Sequence, residues 1–209
     1  MIAKVWNQFE RLKLSFFNWR TVTTITNKIL LAFAFAILTG VLAQAKIYLP
    51  WTPVPITGQT IIVLMAGVIL GKNWGGISQA IYILLGISGI PWFASGMSGT
   101  AALIGPTGGY LIGFVVAALF VGYAVERYLS KNASRSFLRI VGILMFANFV
   151  IIYGLGLIGL GAWMHLIKGS SISFLNLIKL GVAPFIIGDL LKLFFVSIIT
   201  MFLLPNSKN

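Results

Sequence analysis

Apolar residues dominate the chain in six runs, which polar residues, glycines and prolines interrupt. The runs extend over 28–46, 56–71, 74–90, 104–126, 138–164 and 181–204. A helix needs roughly 17–25 mostly apolar residues to cross a bilayer, so each run is a candidate span, although the second and third are short. A glycine-rich turn, GKNWGG, separates these two at 71–76. The pattern therefore predicts an all-α integral membrane protein with six transmembrane helices.

The first 27 residues follow a different pattern, in which basic and aromatic residues are interleaved without a long apolar core. One helical face carries apolar residues, namely Val5, Phe9, Leu12 and Phe16. With basic residues over the remaining surface, this favours an amphipathic helix at the membrane interface. A partly ordered tail is the alternative. The chain then divides into an N-terminal amphipathic extension at 1–27, a six-helix membrane domain at 28–204 and a C-terminal tail at 205–209.

Composition supports a polytopic membrane protein, since 59% of the residues are hydrophobic and only 9% are charged. Soluble domains have roughly 45–50% apolar and about 25% charged residues. The net charge of +12 could suggest nucleic-acid binding, but the basic residues flank apolar runs instead of forming a tract, so the lipid bilayer is the expected partner.

The lysines and arginines also predict an orientation. With both termini inside, eleven of them face the cytoplasm and three face outward, namely Lys46, Lys168 and Lys179. This positive-inside bias predicts a multi-pass protein of the cytoplasmic membrane whose two termini are cytoplasmic.

Two outward-facing connectors are candidates for lining a site. The first contains Pro50, Pro53 and Pro55, and the second, at 86–99, is rich in glycine and proline. Irregular backbone at a membrane persists only where protein buries it or where it lines a wet cavity. A third outward loop is expected over 165–180.

Several patterns resemble catalytic motifs but do not fit their chemistry. The Gly-x-Gly-x-x-Gly match at 154–159 lies within an apolar helix, so we interpret it as close helix packing and not as a dinucleotide site. No P-loop and no cysteine are present, and His165 is the only histidine. Glu126 and Arg127 are interpreted as interfacial charges without a special function. We expect no catalytic residue, no metal site and no cofactor.

The sixth run contains the only aspartate of the chain, Asp189, and Lys192 follows three positions later. Each charge in the membrane interior costs about 2.5–3.5 kcal/mol on insertion scales, and residues at i and i+3 share one helical face. A structural ion pair is one explanation. A binding site for a polar or anionic solute is the other, and we favour it because apolar replacements of buried pairs are often neutral or stabilising.

Other residues are candidates for the walls of such a pocket. Trp51, Trp92 and Tyr110 can cover an apolar ring, as aromatic side chains do in small-molecule sites. Thr57 and Gln59 either bind the solute or cap backbone groups at the start of the second run.

Ala32 and Ala36 lie one helical turn apart in the first run. Small residues at this spacing let helices approach closely. The contact is either internal packing or the docking of a partner subunit.

Four motifs in this order resemble the BioY family, the biotin-specific S components of energy-coupling factor (ECF) transporters. They are LPWTPVPITGQT at 49–60, AGVILGKNWGGISQAIYILLGISGIPWF at 66–93, GPTGGYLIGF at 105–114 and PFIIGDLLK at 184–192. The similarity extends from about 28 to 204 and leaves out the N-terminal 27 residues.

The resemblance implies the six-helix S-component fold, biotin as the solute, and an energy-coupling T subunit and two cytoplasmic ATPases as partners. It implies that Asp189 binds ureido N–H groups of biotin and that Lys192 binds the ureido carbonyl or another polar atom. It also favours docking of the T subunit at Ala32 and Ala36. The implied function is capture of biotin at the outer face and delivery to the cytoplasm, with no enzymatic activity.

Two positions depart from the pattern of some family members. Met97 stands where some carry a polar residue such as Asn, and Leu111 stands where some carry Arg. The biotin carboxylate would then rely on Ser98, on backbone N–H groups of 96–99, or on solvent. A carrier for another vitamin or heterocycle, as an S component or acting alone, is the alternative function. A membrane enzyme using Asp189 would lack a second intramembrane carboxylate, a metal cluster or a nucleophile–base pair.

Overall fold

The computed structural model describes residues 2–130 and 136–204 of the 209-residue chain. Three of the eleven basic residues counted as cytoplasmic, Lys131, Arg135 and Lys208, lie outside the described part, as do the rest of the tail at 205–209 and the side chains of Lys4 and Val5.

The described chain is almost entirely helical. Its elements in order are α1 (Ile2–Val22), α2 (Ile25–Gln44), β1 (Lys46–Ile47), β2 (Ile56–Thr57), α3 (Gln59–Ile87), α4 (Ala101–Ile104), α5 (Gly108–Ser130), α6 (Phe137–Met145), α7 (Tyr153–Leu166), α8 (Phe174–Gly181) and α9 (Ile186–Leu203). A π-helix joins α6 to α7, and short 3-10 turns precede α4 and α9; their bounds are Phe146–Ile152, Ala94–Gly96 and Ala183–Phe185.

Five helical stretches of the described chain are long and apolar enough to cross a membrane. They are Ile25–Gln44, Gln59–Ile87, Gly108–Arg127, Phe137–Leu166 and Phe174–Leu203. This confirms an all-α multi-pass membrane protein, whereas the count of six spans is not confirmed.

The difference in count comes from α3, which folds back on itself. Gly71 lies inside it with φ +80°, outside helical geometry. Gln59 Nε2 at its start donates to Tyr82 Oη near its end, over 2.8 Å. A straight helix would separate these two residues by about 35 Å. The second and third predicted runs are therefore the two arms of a helical hairpin, and the reversal occurs at Gly71, after which the helix resumes at once.

Two charges from other helices hold this reversal. The Arg20 guanidinium of α1 donates to the carbonyls of Val68 and Ile69, each over 3.2 Å. Glu126 Oε1 of α5 accepts the Lys72 N–H over 3.1 Å and lies 3.7 Å from Arg20. A cation thus meets the carbonyl end of one arm and an anion the N–H end of the other, as helix dipoles favour. The sequence suggested that Glu126 is an interfacial charge without a special function. In the structure it instead caps the second arm of the hairpin.

The N-terminal segment forms a helix, as its apolar spacing predicts. Its buried residues include Phe17 and Arg20, which face the bundle, whereas Leu12 and Phe16 are exposed. Burial lowers the pKa of Arg20, and the nearby Glu126 carboxylate opposes that change. The location of this helix at the membrane interface stays a prediction.

Close packing explains two of the three glycines at 154–159, Gly156 and Gly159, whereas a Cβ on Gly154 would meet open space. Gly159 in α7 lies directly against Gly109 in α5, and a Cβ on Gly109 would overlap the Leu155 carbonyl. Gly156 lies against the Tyr110 ring in the same way. The interpretation of this match as helix packing is confirmed.

The docking of a partner subunit at Ala32 and Ala36, which the family resemblance favours, does not fit the structure. Both are fully buried within the chain, on the side of α2 that also carries Thr39, whose Oγ1 contacts Gln79 of α3 over 3.3 Å. Internal packing, the alternative interpretation, therefore accounts for them. They offer no exposed surface to a partner subunit, because α3 occupies the face on which they lie.

The connectors that the charge bias predicts to face outward contain more structure than their sequences indicate. β1 and β2 form an antiparallel ribbon in which Lys46 pairs with Thr57 and Ile47 with Ile56. Half of the loop expected at 165–180 is helical, because α8 begins at Phe174. The ribbon and the turn before α9 deliver residues to the cavity described next.

Candidate functional site

One cavity lies among the ends of α3, α5, α7 and α9 and the proline-rich connector. Its empty space is about 600 Å³, a figure that includes the part open to solvent. Its apolar walls are Val54, Pro55, Phe93, Ala94, Leu111, Phe114, Ile152 and Phe185, and its polar lining is Thr57, Gln59, Thr60, Thr107, Tyr110, Tyr153, Asp189 and Lys192.

Asp189 lies at the wall of this cavity in the first turn of α9, and only 3% of it is exposed. Its Oδ2 accepts from Asn148 Nδ2 over 2.8 Å and from the Tyr153 hydroxyl over 2.7 Å. Its Oδ1 accepts from Lys192 Nζ over 2.7 Å. Three donors, one of them charged, stabilise a carboxylate that burial would otherwise disfavour.

Lys192 connects this pair to the connector. Its Nζ also donates to the Thr57 carbonyl over 2.7 Å, across 135 residues of sequence. The i, i+3 spacing places Asp189 and Lys192 on one face of α9, and the β ribbon brings the carbonyl to the ammonium. The predicted ion pair is therefore present, as part of a larger polar network at the cavity wall.

Thr57 and Gln59 line the cavity, and both are already hydrogen-bonded. Thr57 Oγ1 donates to Gln59 Oε1 over 3.0 Å, and Gln59 Nε2 donates to Tyr82 Oη over 2.8 Å. These bonds fix the Gln59 amide, which is 5% exposed. Thr57 and Gln59 thus face the cavity and also, through Tyr82, connect the start of α3 to the arm that ends it.

Tyr110 also lines the cavity, where its hydroxyl donates to the Gly181 carbonyl over 2.7 Å. Trp92 does not reach the lining. It packs against Gly40 and Tyr82, and its Nε1 donates to the Tyr82 carbonyl over 3.0 Å. The indole is thus a brace between α2 and α3 and not a wall of the cavity.

The remaining candidates also lie away from the cavity. Ser98 and Met97 are in the turn before α4 and are not among its lining residues, and Trp51 is 61% exposed. Leu111, which stands where some family members carry Arg, is buried in the lining. Lys192 is consequently the one cation among the lining residues that the structure describes.

Sequence reasoning missed Asn148 and Tyr153. Asn148 is fully buried in the π-helix, and Tyr153 opens α7. A signal was present in the run ILMFANFVIIY, where Asn148 is the one strongly polar side chain. A buried amide costs free energy unless it is hydrogen-bonded, so an asparagine in this apolar run predicts a polar partner, as Asp189 does in its own run.

Two polar atoms near the site have no partner within the described part of the chain. They are Thr60 Oγ1 and Asn148 Oδ1, and both are shielded from solvent. Such groups are rare in folded proteins, and an ordered water or ion is one of the usual sources of the missing bond. Thr60 is in the cavity lining, so its hydroxyl is a candidate contact.

This arrangement suits binding more than bond-breaking. The charges of Asp189 and Lys192 compensate each other, so the site presents both an acceptor and a donor without a net charge. Aromatic and aliphatic walls surround this polar corner. A neutral polar heterocycle with adjacent N–H and C=O groups matches both features.

The fold is similar to a solved one. A structure described as the S-component for biotin from an ECF-type ABC transporter superposes with a TM-score of 0.73 at 24% identity, covering 84% of this chain and 89% of that chain. At this identity the match shows the fold, which is that of an ECF S component.

Sequence comparisons are closer. A probable biotin transporter BioY of Methanothermobacter thermautotrophicus is 43% identical over 142 residues, which is 68% of this chain and 88% of the relative. The biotin transporter BioY of Thermotoga maritima is 36% identical over 161 residues, 77% of this chain and 87% of the relative.

The sequence model of the BioY family matches residues 11–208. The match therefore includes most of the N-terminal segment that the four motifs leave out. Because it extends over nearly the whole chain and agrees with both relatives, the chain belongs to the BioY family.

Proposed function

We propose that the chain is the substrate-binding membrane subunit of a biotin uptake system. It captures biotin in the cavity beside Asp189 and Lys192 at the outer face and delivers it to the cytoplasm. Like other members of its family, it is a transport protein and not an enzyme.

One observation carries the proposal, namely the buried Asp189–Lys192 pair in the wall of a mostly apolar cavity. The biotin head group is a bicycle whose urea has N–H donors beside a carbonyl. The carboxylate is complementary to an N–H and the ammonium to the carbonyl, while Phe93, Phe114 and Phe185 offer apolar contact to the ring.

Uptake driven by ATP requires partners, because the chain has no P-loop of its own. An energy-coupling T subunit and two cytoplasmic ATPases, as the family resemblance implies, would supply that energy. Ala32 and Ala36 are buried, so a T subunit would contact other residues. The exposed apolar face of α2, with Phe33, Ile37 and Val41, is available for that contact.

The test is the binding of labelled biotin to the purified chain in lipid nanodiscs. Removing one partner of a buried, hydrogen-bonded charge pair costs about 2 kcal/mol or more, so Asp189→Asn and Lys192→Ala should each weaken binding by about 30-fold or more. Lys168→Ala is the matched control, since Lys168 is exposed and away from the cavity. Unchanged affinity in both cavity variants would contradict the site.

A different heterocycle is the second candidate solute, and one feature of the cavity supports it. The lining provides no cation for the biotin carboxylate other than Lys192, which Asp189 already engages. Competition of labelled biotin by other vitamins and by biotin esters separates the two. Full competition by an ester with unchanged affinity would show that the carboxylate has no dedicated partner.

A further inference from the structure

The number of hydrogen bonds already made by Asp189 limits what it can offer a ligand. A carboxylate has about four acceptor positions, two on each oxygen. Asn148 and Tyr153 fill both positions on Oδ2, and Lys192 fills one on Oδ1. One acceptor position therefore remains, and it is on Oδ1.

The same count applies to Lys192. An ammonium has three N–H donors, and two of them are directed at Asp189 Oδ1 and the Thr57 carbonyl. One N–H remains. The free donor and the free acceptor belong to atoms only 2.7 Å apart, which is close to the separation of about 2.2 Å between the N and O atoms on one edge of a cyclic amide or urea.

The π-helix explains why two donors reach the same oxygen. Asn148 and Tyr153 are five positions apart, which in an α-helix places them about 140° apart around the axis. A π-helix bonds residue i to residue i+5 and winds more slowly than an α-helix, so positions i and i+5 lie closer to the same side. The π-helix Phe146–Ile152 ends one residue before Tyr153, whose backbone N–H donates to the Asn148 carbonyl, and both side chains are directed at Asp189.

We propose that Asn148 and Tyr153 are positioning residues that saturate Asp189 Oδ2, so that the site recognises a single N–H/C=O edge of its ligand. The proposal rests on the proposed function in that the ligand is taken to be biotin. Of the two ureido N–H groups, one bonds to Asp189 Oδ1 and the ureido oxygen accepts from Lys192. The other N–H does not touch Asp189.

This asymmetry is measurable with two lactam analogues of biotin, in each of which a methylene group replaces one ureido N–H. With the unaltered chain in nanodiscs, the analogue that lacks the N–H facing Oδ1 leaves a charged acceptor unpaired. It should bind about tenfold to a hundredfold more weakly than the other analogue. Equal losses of affinity for the two analogues would overturn the proposal.

The positioning role is tested by the same affinity ratio in Tyr153→Phe. Losing the hydroxyl frees a position on Oδ2, so Asp189 can serve either N–H and the ratio should fall towards one. Tyr123→Phe is the matched control and should keep the ratio, because Tyr123 is exposed and its hydroxyl accepts from Arg127. A ratio that stays unchanged in Tyr153→Phe would overturn the positioning role.

The ratio does not depend on how much of the variant is folded, since both analogues report on the folded fraction alone. If Tyr153→Phe yields no folded protein, Asn148→Ser frees Oδ2 from its other donor and should lower the same ratio. Failure of the proposed function has a different signature, which is no binding of biotin itself to the unaltered chain.

Discussion

Asp189 shows how a membrane protein accommodates a carboxyl side chain in an almost fully buried position. The charge alone would be expensive at this depth, yet each of its oxygens receives at least one short hydrogen bond from Asn148, Tyr153 or Lys192. The donors are contributed by two helical segments, since Asn148 and Tyr153 lie in the continuous stretch Phe137–Leu166 and Lys192 lies in α9. If one donor is removed, the other two hydrogen bonds to Asp189 remain. The change in free energy then depends on which acceptor position of the carboxyl group becomes free.

Substitution of Thr60 tests whether an unpaired polar atom in the cavity lining contacts the ligand. Its buried hydroxyl lacks a partner in the described chain, and such a group costs roughly 1 kcal/mol or more. Thr60→Val keeps the shape and removes the hydroxyl. The ligand-free protein should gain up to about 1 kcal/mol in unfolding free energy, while biotin affinity should fall about tenfold.

Both quantities can be obtained from thermal unfolding with and without biotin, since a ligand bound only by the native state raises its stability. Thr26→Val, at an exposed threonine of α2, is the control and should change neither. A variant that is more stable but retains full affinity would show that Thr60 does not contact biotin.

At this scale the sequence predicted the pair but not its environment. Two charges three positions apart on a helix necessarily share a face, so the contact of Asp189 with Lys192 followed from spacing alone. The donors Asn148 and Tyr153 lie 41 and 36 positions earlier in the chain. Their approach depends on how the helical stretch Phe137–Leu166 packs against α9, which no local pattern encodes.

Among the elements, the α3 hairpin depends most clearly on a few residues. Gly71 has φ +80°, where a side chain is strained, and a Cβ there would meet the Glu126 carboxylate. Arg20 and Glu126 cap the two helix ends that this reversal creates. The N-terminal helix is thereby fixed to the hairpin by a polar contact.

We predict that Arg20→Ala destabilises the fold without altering the cavity. The carbonyls of Val68 and Ile69 would lose their donor, at a cost of about 1–3 kcal/mol. Thermal unfolding in nanodiscs should register this loss, whereas biotin affinity at a temperature where the protein is folded should be unchanged. Arg139→Ala, at an exposed arginine of α6, is the control.

A double-mutant cycle with Glu126→Gln measures the contribution of the ion pair itself. Residues in one network have interaction energies of about 0.5–3 kcal/mol, whereas independent sites add. Additive effects would show that Arg20 acts through the carbonyls alone. A variant Arg20→Ala with unaltered stability would contradict the capping role altogether.

A helix could be predicted from the sequence where a single property of the sequence, such as apolar length or spacing, is sufficient to indicate it. Apolar length located the spanning helices, and apolar spacing indicated α1. The reversal at Gly71 was visible only as two short runs, and the π-helix was not visible at all, because the apolar run around Asn148 reads equally well as a continuous α-helix. The ribbon of β1 and β2 is too short for any periodicity to reveal it.

For the whole molecule, the two ends of the bundle differ in chemistry. One end carries the Gly71 reversal with Arg20, Lys72 and Glu126. The cavity lies near the opposite ends of the α3 arms, since Gln59 and Phe93 line it. If the basic end is cytoplasmic, as the charge bias predicts, the cavity is near the outer face, where a capture subunit requires it.

The chain is well suited to a direct test of that orientation, because it contains no cysteine. Lys168, two residues beyond α7, and Lys72, just after the reversal, are both exposed. In intact cells a membrane-impermeant maleimide should label Lys168→Cys and should label Lys72→Cys only after permeabilisation. The unaltered chain gives the background. Labelling of Lys72→Cys from outside would invert the topology and place the cavity at the cytoplasmic face, which is incompatible with capture of biotin from the exterior.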